Sequence, residues 1–180
     1  MITTFAIHVE NKPGVLTRVS SLFRRRAFNI ESLTVGHTDR PGVSRMTIVV
    51  DTDEIGARRL EAHLYKLVNV LRVENITSLP SVFRDLAMIK VAATQERRPE
   101  LVHLAEIFRA RIVDLAPESL TIEITGGEDK IDGLLDVLRP YGVLEMARTG
   151  RLAMTRASRA TGGTARPAAD SHEPQVSYSV

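Results

Sequence analysis

Two short segments of this chain carry the residue types that could bind a free amino acid. Residues 10–16 (Glu-Asn-Lys-Pro-Gly-Val-Leu) join an alternating strand to an amphipathic helix, and residues 29–35 open the next strand. A Pro-Gly turn before a helix leaves backbone N–H groups free at an end that carries roughly half a positive charge, which suits a carboxylate. Asn11 and Asn29 offer the carbonyl oxygens that an ammonium group requires. The segments together predict an amino-acid receptor and not an active site.

Each segment taken alone also has a simpler interpretation. Pro-Gly is a good turn in its own right, and Gly14 could serve only as the entry to a helix. Asn29 could likewise be a turn residue that starts a strand. The occurrence of both segments around one predicted helix favours the binding interpretation.

Composition narrows the class of protein. The 180 residues suffice for one medium domain or two small ones, and 43% hydrophobic and 26% charged residues are ordinary for a soluble globular protein. A formal net charge of +2 does not indicate a polyanion partner. The chain has no Cys, which excludes disulfides, thiolate metal sites and cysteine nucleophiles. Because the apolar runs are short and no leader pattern precedes the first strand, we expect a cytoplasmic protein without a membrane contact.

The N-terminal half reads as a β-α-β-β-α-β unit, the ferredoxin-like arrangement. Period-two alternation predicts a strand over 5–10, and helical spacing then predicts a helix ending in three arginines. Two further strands follow over 30–38 and 43–51, with hairpin residues Asp39 to Gly42 between them. A second apolar helical stripe and a strand over 70–76 complete the unit. That stripe is formed by Leu60, Leu64, Leu67 and Val68.

The pattern then repeats in the C-terminal half. Strands are predicted over 86–93, 112–115, 120–124 and 143–147, and Pro99 suits the first turn of the intervening helix. The fold class is therefore α+β, with two tandem ferredoxin-like units at 1–79 and 80–154. Residues 155–180 hold few large apolar residues and are predicted to be a disordered tail. The β-forming residues 176–180 leave open a docking strand instead.

The predicted sheets create a packing requirement. Helices cover one face of each four-stranded antiparallel sheet, so the other face or an edge needs a partner. We therefore expect an oligomer, with a ligand at the first loop lying at a subunit boundary. The equivalent loop of the second unit, residues 95–99, lacks the Asn and Gly of the first. We therefore expect one effector class per N-terminal dimer interface and a mainly structural or coupling role for residues 80–150.

Other functions find little support in the residues. The predicted central strand over 45–50 has no aromatic residue, and only 4% of the chain is aromatic, which disfavours the base stacking of an RNA-binding module. The five histidines are scattered without the spacing of a metal site. Gly126-Gly127 lacks the Lys and Ser/Thr of a phosphate-binding loop. We accordingly expect no nucleic-acid partner, no metal or cofactor in this chain, and no catalytic site of its own.

Three runs of residues resemble one protein family closely. Residues 29–35 (Asn-Ile-Glu-Ser-Leu-Thr-Val), 44–47 (Ser-Arg-Met-Thr) and 66–73 (Lys-Leu-Val-Asn-Val-Leu-Arg-Val) resemble the small regulatory subunits of acetolactate synthase, also called acetohydroxyacid synthase. Residues 107–109 and 112–114 add to the resemblance, which extends from about residue 2 to 154. The N-terminal unit resembles an ACT domain, the amino-acid-sensing version of the ferredoxin-like fold.

The resemblance implies a regulator of branched-chain amino acid synthesis. Its partner is expected to be a large catalytic subunit that uses thiamine diphosphate, Mg²⁺ and FAD to make acetolactate from two pyruvates. The small subunit is expected to activate that partner and to confer feedback inhibition, most often by valine. An ACT-type sensor of a different enzyme is the alternative. The effector residues implied by the family are Asn11, Gly14, Val15 and Leu16 of one protomer, with Asn29 and Ile30 across a homodimer interface.

Overall fold

A computed structural model describes residues 1–156, and its first unit has the predicted element order. The strands form one antiparallel sheet in the order β2-β3-β1-β4, with both helices on one face. The elements are β1 (Ile2–Glu10), α1 (Val15–Arg25), β2 (Ile30–His37), β3 (Val43–Asp51), α2 (Glu54–Leu64) and β4 (Val70–Asn75).

The second unit repeats this topology, and the predicted α+β class with two ferredoxin-like units is confirmed. Its sheet has the order β6-β7-β5-β8, and an additional strand, β9, pairs with the first four residues of β5. The elements are β5 (Ser81–Ala92), α3 (Arg98–Ile107), β6 (Arg111–Leu115), β7 (Ser119–Gly126), α4 (Glu128–Leu138), a 3₁₀ turn (Arg139–Tyr141), β8 (Val143–Arg148) and β9 (Leu152–Thr155).

Each unit has its own apolar core between its sheet and its helices. In the first unit, alternate residues of β1 and β3 meet one stripe of each helix, as the period-two and helical patterns predict. The second core repeats this arrangement. The fully buried side chains include Phe5, Ile7, Phe23, Met46, Ile48, Leu60 and Leu64 in the first core and Ile89, Leu101, Leu120 and Ile122 in the second.

Three predicted boundaries are wrong. Helix α2 ends at Leu64, and Val68 is 90% exposed, because backbone bonds from Leu67 to Leu64 and from Val70 to Leu67 turn the chain while the apolar spacing continues. Strand β5 begins at Ser81, where a linker was predicted. Thr155 belongs to β9 and not to the tail. The last two errors share one cause, since β5 and β9 extend by pairing with each other.

The open face of the first sheet is covered by the chain itself. We call residues 149–155, which follow β8 and include β9, the return segment. The return segment and the start of β5 lie over this face, where Ala6, Ile76 and Ala153 form a small buried cluster with Leu79 and Phe83 beside it. Intramolecular packing thus supplies part of what a partner subunit was expected to supply.

Some predictions concern features that the described residues leave untested. The division at residues 79 and 80 stays a prediction, and the expected disorder of the tail falls on 157–180, outside the described residues. Within residues 1–156, no helix is long and apolar enough to cross a membrane. The cytoplasmic location also stays a prediction.

Candidate functional site

The N-terminus of α1 has the backbone geometry that an anion site requires. Gly14 precedes the helix with φ of +81° and ψ of −5°, a left-handed conformation that glycine adopts with little strain. No side chain caps this end of α1, and its first turn contains no acidic residue. The Val15 N–H donates to the Lys12 carbonyl oxygen over 3.4 Å. The N–H groups of Leu16 and Thr17 and the positive end of the helix dipole face an exposed corner of the unit.

A buried asparagine connects the elements that form this corner through hydrogen bonds. Asn69 lies just before β4 and is 9% exposed. Its Nδ2 donates to the Glu10 carboxylate over 2.5 Å, and its Oδ1 accepts from the Arg18 guanidinium on α1. The backbone N–H of Glu10 also donates to the Asn69 carbonyl oxygen over 2.9 Å. One side chain thus joins the end of β1, the first turns of α1 and the start of β4.

The Glu10 carboxylate is held in its charged form at this corner. Its pKa is lowered from its ordinary value by the hydrogen bond from Asn69 and then by Lys12, whose Nζ lies 3.2 Å from Glu10 Oε2. Sequence analysis missed Asn69, because its position in the apolar run 67–71 carries no signal except a polar side chain where burial is expected.

The predicted contacts in the first loop differ in what they can offer a ligand. Val15 is 4% exposed and packs in the core, so its side chain cannot reach a ligand in the loop. Leu16 is 44% exposed and can contact an apolar ligand side chain. Asn11 is exposed, and its backbone N–H donates to the Gly42 carbonyl oxygen over 2.7 Å, which ties the loop to the β2–β3 hairpin.

Asn29 and Ile30 lie at the other end of α1. The chain passes from the Gly14 corner along the eleven residues of the helix and then enters β2. At about 1.5 Å per residue, the two groups of predicted contacts are separated by roughly 16 Å within one chain. Asn29 is exposed, and its Nδ2 donates to the Glu31 carboxylate over 2.6 Å, so Oδ1 is the atom that can accept from an ammonium group. A single chain therefore does not bring the six predicted residues together.

The matching corner of the second unit has a different character. Residue Arg97 precedes α3 with a right-handed helical conformation, φ of −87°. Pro99 occupies the first turn of α3 as predicted, but it supplies no N–H. Glu100 in the same turn places a negative charge where a carboxylate ligand would lie. These differences are consistent with the expectation of one effector class per N-terminal dimer interface, which stays a prediction.

A row of basic residues crosses the open face of the first sheet. Arg45 on β3 and Arg72 on β4 are both paired in register with His8 on β1. The pKa of His8 is lowered from its ordinary value by burial first and by Arg45 second, while Glu74 opposes this effect. Burial also lowers the pKa of Arg45, whose Nη2 donates to the Ala153 carbonyl oxygen over 2.6 Å. The row therefore helps to attach the return segment to the first unit.

Within residues 1–156 no cluster of three His, Asp or Glu side chains could hold a metal ion. The fold of each unit is the β-α-β-β-α-β fold of the ACT class of small domains. Residues 5–72 match the family described as the AHAS small subunit-like ACT domain, and residues 84–157 match the family described as the small subunit of acetolactate synthase. The chain belongs to the acetolactate synthase small subunit family.

Individual relatives agree with this assignment. The chain is 53% identical over 156 residues to the probable acetolactate synthase small subunit of Archaeoglobus fulgidus, covering 87% of this chain and 98% of that protein. It is 46% identical over 159 residues to the acetolactate synthase small subunit of Mycolicibacterium smegmatis, covering 88% and 94%. The crystal structure of the small subunit from Thermotoga maritima superposes with a TM-score of 0.82 at 42% identity, covering 87% of this chain and 98% of that one. A sensor of a different enzyme is not favoured by these matches.

Proposed function

We propose that this chain is the regulatory subunit of an acetolactate synthase, which activates a large catalytic subunit and makes it sensitive to a branched-chain amino acid. Thiamine diphosphate, Mg²⁺ and FAD are assigned to that partner. The observation that carries the proposed effector site is the uncapped N-terminus of α1 behind Gly14, whose φ is +81°. It provides N–H donors and a favourable dipole for the ligand carboxylate.

The surrounding residues fit an aliphatic amino acid. Leu16 is exposed in the first turn of α1 and can pack against a branched side chain. An ammonium group needs acceptors, and Asn29 offers its Oδ1 from the start of β2. Since Asn29 lies at the far end of α1, we assign it and Ile30 to the pocket of the neighbouring protomer in a homodimer. This arrangement makes the dimer the unit that binds the effector.

Reconstitution tests the proposal. The purified chain alone, given pyruvate, thiamine diphosphate and Mg²⁺, is expected to form no acetolactate. Adding it to the large subunit is expected to raise turnover, and valine is expected to lower that turnover again. Calorimetric titration of valine, leucine and isoleucine into the free chain identifies the effector. Turnover by the chain alone, or binding of none of the three amino acids, would contradict the proposal.

A further inference from the structure

The return segment makes a close contact with β2, the strand that begins at the proposed effector residues. The backbone N–H of Arg151 donates to Ser32 Oγ over 2.7 Å, a bond between residues 119 positions apart. A methyl group on Gly150 would lie 2.6 Å from Ser32 Oγ, 2.7 Å from Thr34 Oγ1 and 2.8 Å from the Leu33 carbonyl oxygen. Only a residue without a side chain fits between the return segment and β2.

The return segment is anchored firmly on its other side. Arg148, the last residue of β8, donates from Nε and Nη2 to the Asp85 carboxylate over 3.0 and 2.8 Å. Its Nη1 donates to Asp132 of α4 over 2.9 Å. Burial alone would lower the pKa of Arg148, but these carboxylates raise it above its ordinary value. The start of the return segment is thereby tied to the sheet and to a helix of the second unit.

Arg151 extends the contact to both units. Its Nη1 donates to Thr4 Oγ1 of β1 over 3.2 Å, and its Nη2 donates to the Glu128 carboxylate at the start of α4 over 2.8 Å. The guanidinium also lies 5.2 Å from the centre of the Phe83 ring. A displacement of β1 or β2 therefore changes contacts that reach α4.

Strand β2 lies at one edge of the first sheet, and β4 lies at the other. Among the described strands, β2 is hydrogen-bonded only to β3. Its register slips between Ile30 and Ser32, which places an irregularity at Glu31, between the proposed effector contact and the contact with Gly150. Among residues 1–156, the buried Thr34 Oγ1 has no hydrogen-bond partner, so this packing leaves a polar group that another arrangement can satisfy.

Beside this contact lies an open cleft between the two units. It has a volume of about 490 Å³ and is lined by residues of both units, among them Glu31, Asp85 and Arg148. The units are therefore not sealed against each other there, and a small movement of β2 has space. Gly150, Ser32 and Leu33, which are in close contact, also line this cleft, and packed atoms of this kind resist compression.

We propose that the contact of Gly150 and Arg151 with β2 couples effector binding in the first unit to the second unit. This inference rests on the proposed function, since it needs an effector at Asn29 and Ile30. Binding there displaces the start of β2, and this changes the packing of Ser32 and Thr34 against Gly150. The return segment then moves and alters its contacts with α4 and β8. Gly150 acts as a positioning residue and does not contact the effector.

Paired glycine variants test the coupling. Gly150→Ala adds a methyl group in the close contact, whereas Gly127→Ala, the control, adds one that meets nothing within 4 Å. In the reconstituted enzyme, Gly150→Ala is expected to keep activation but to raise the valine concentration for half-inhibition by about fivefold or more, while the valine affinity of the free chain stays unchanged. Gly127→Ala is expected to match the unaltered chain. Inhibition by Gly150→Ala at the unaltered valine concentration would overturn the inference.

A second variant and a physical readout guard against misfolding of Gly150→Ala. Ser32→Ala removes the acceptor for the Arg151 N–H without adding atoms and is expected to weaken inhibition in the same direction. In the unaltered holoenzyme, valine is expected to change amide hydrogen exchange in residues 149–155. If valine binds and inhibits but hydrogen exchange in residues 149–155 does not change, the proposed coupling is refuted and the proposed function is not. Absence of valine, leucine and isoleucine binding refutes the proposed function, and the coupling with it.

Discussion

Gly14 and Asn29 lie at opposite ends of α1, although both are expected to contact one effector. The eleven residues of the helix separate them by roughly 16 Å, more than a branched-chain amino acid can span. The two residues can share a ligand only if each comes from a different protomer. The proposed site therefore requires a dimer, and this requirement can be tested directly.

Mixing two defective chains provides the test. Gly14→Asp disrupts the loop of the protomer that carries it. Asn29→Leu removes the acceptor that the protomer carrying it contributes to the site of its partner. In a dimer of one chain of each kind, one site carries both changes and the other carries neither. When the two variants are mixed in equal amounts and exchange subunits at random, half of the dimers are mixed. Calorimetry is then expected to find about one full-affinity valine site for every four protomers. Each variant alone is expected to show no site of full affinity. If mixing the two variants restores no valine binding, Gly14 and Asn29 do not form a site between two protomers.

The Gly14→Asp variant is expected to abolish valine inhibition while activation of the catalytic subunit remains. The added carboxylate occupies the position of the ligand carboxylate and repels it. Because φ is +81° at this position, any side chain also strains the backbone by about 1 kcal/mol or more. Gly14→Ala shares that strain without the charge and should retain more valine sensitivity in the inhibition assay. Equal effects of the two variants would assign the loss to strain.

Asn29→Leu is expected to weaken valine binding by about tenfold or more. The lost hydrogen bond to a charged ammonium group is worth roughly 1.5–3 kcal/mol. Glu31→Gln serves as a control, because its amide oxygen can still accept from Asn29 Nδ2, and it is expected to keep the affinity of the unaltered chain. Calorimetry measures both affinities. Wild-type affinity in Asn29→Leu would remove this residue from the site.

Two truncations are expected to separate the tail from the return segment. A chain ending after Arg156 should keep its thermal stability, activation and valine inhibition, as predicted for a disordered tail. A chain ending after Arg148 loses the return segment and uncovers the cluster of Ala6 and Ile76. That loss is expected to cost about 2 kcal/mol or more, lowering Tm by about 4 °C or more. Calorimetric scans measure the Tm of both truncated chains. Equal Tm values for the two would contradict the stabilising role of the return segment.

Stability is expected to fall as the pH drops below about 6.5, in part because of His8. Its pKa is lowered in the folded chain, so the unfolded chain binds the proton first as the pH falls. The contribution of His8 to the free energy of unfolding is complete above the pKa of the unfolded chain. It is lost as the pH falls through the lower pKa of the folded chain. Glu10, whose pKa is also lowered, titrates in a more acidic range. Urea midpoints between about pH 7.5 and pH 5.5 should change less in His8→Gln than in the unaltered chain.

The sequence by itself determined the class of the fold and its elements other than β9 and the start of β5. Alternating residues in β1 and helical spacing in α1 encode local structure, and local structure depends on near neighbours. The Pro-Gly loop was readable for the same reason, because its geometry is set by the Gly14 residue itself. The placement of the four α-helices within residues 1–156, with an error at the end of α2, followed from such patterns.

Only the tertiary structure decided the relations between distant residues. Asn69 joins Glu10 to Arg18, and Gly150 fits against Ser32, but neither pairing leaves a periodic trace in the chain. Strand β9 was missed because four residues form a strand only when a partner strand lies beside them. Whether Gly150 is a turn residue or a close contact between units depends on how the units pack, and packing is settled by burial and volume across the whole chain.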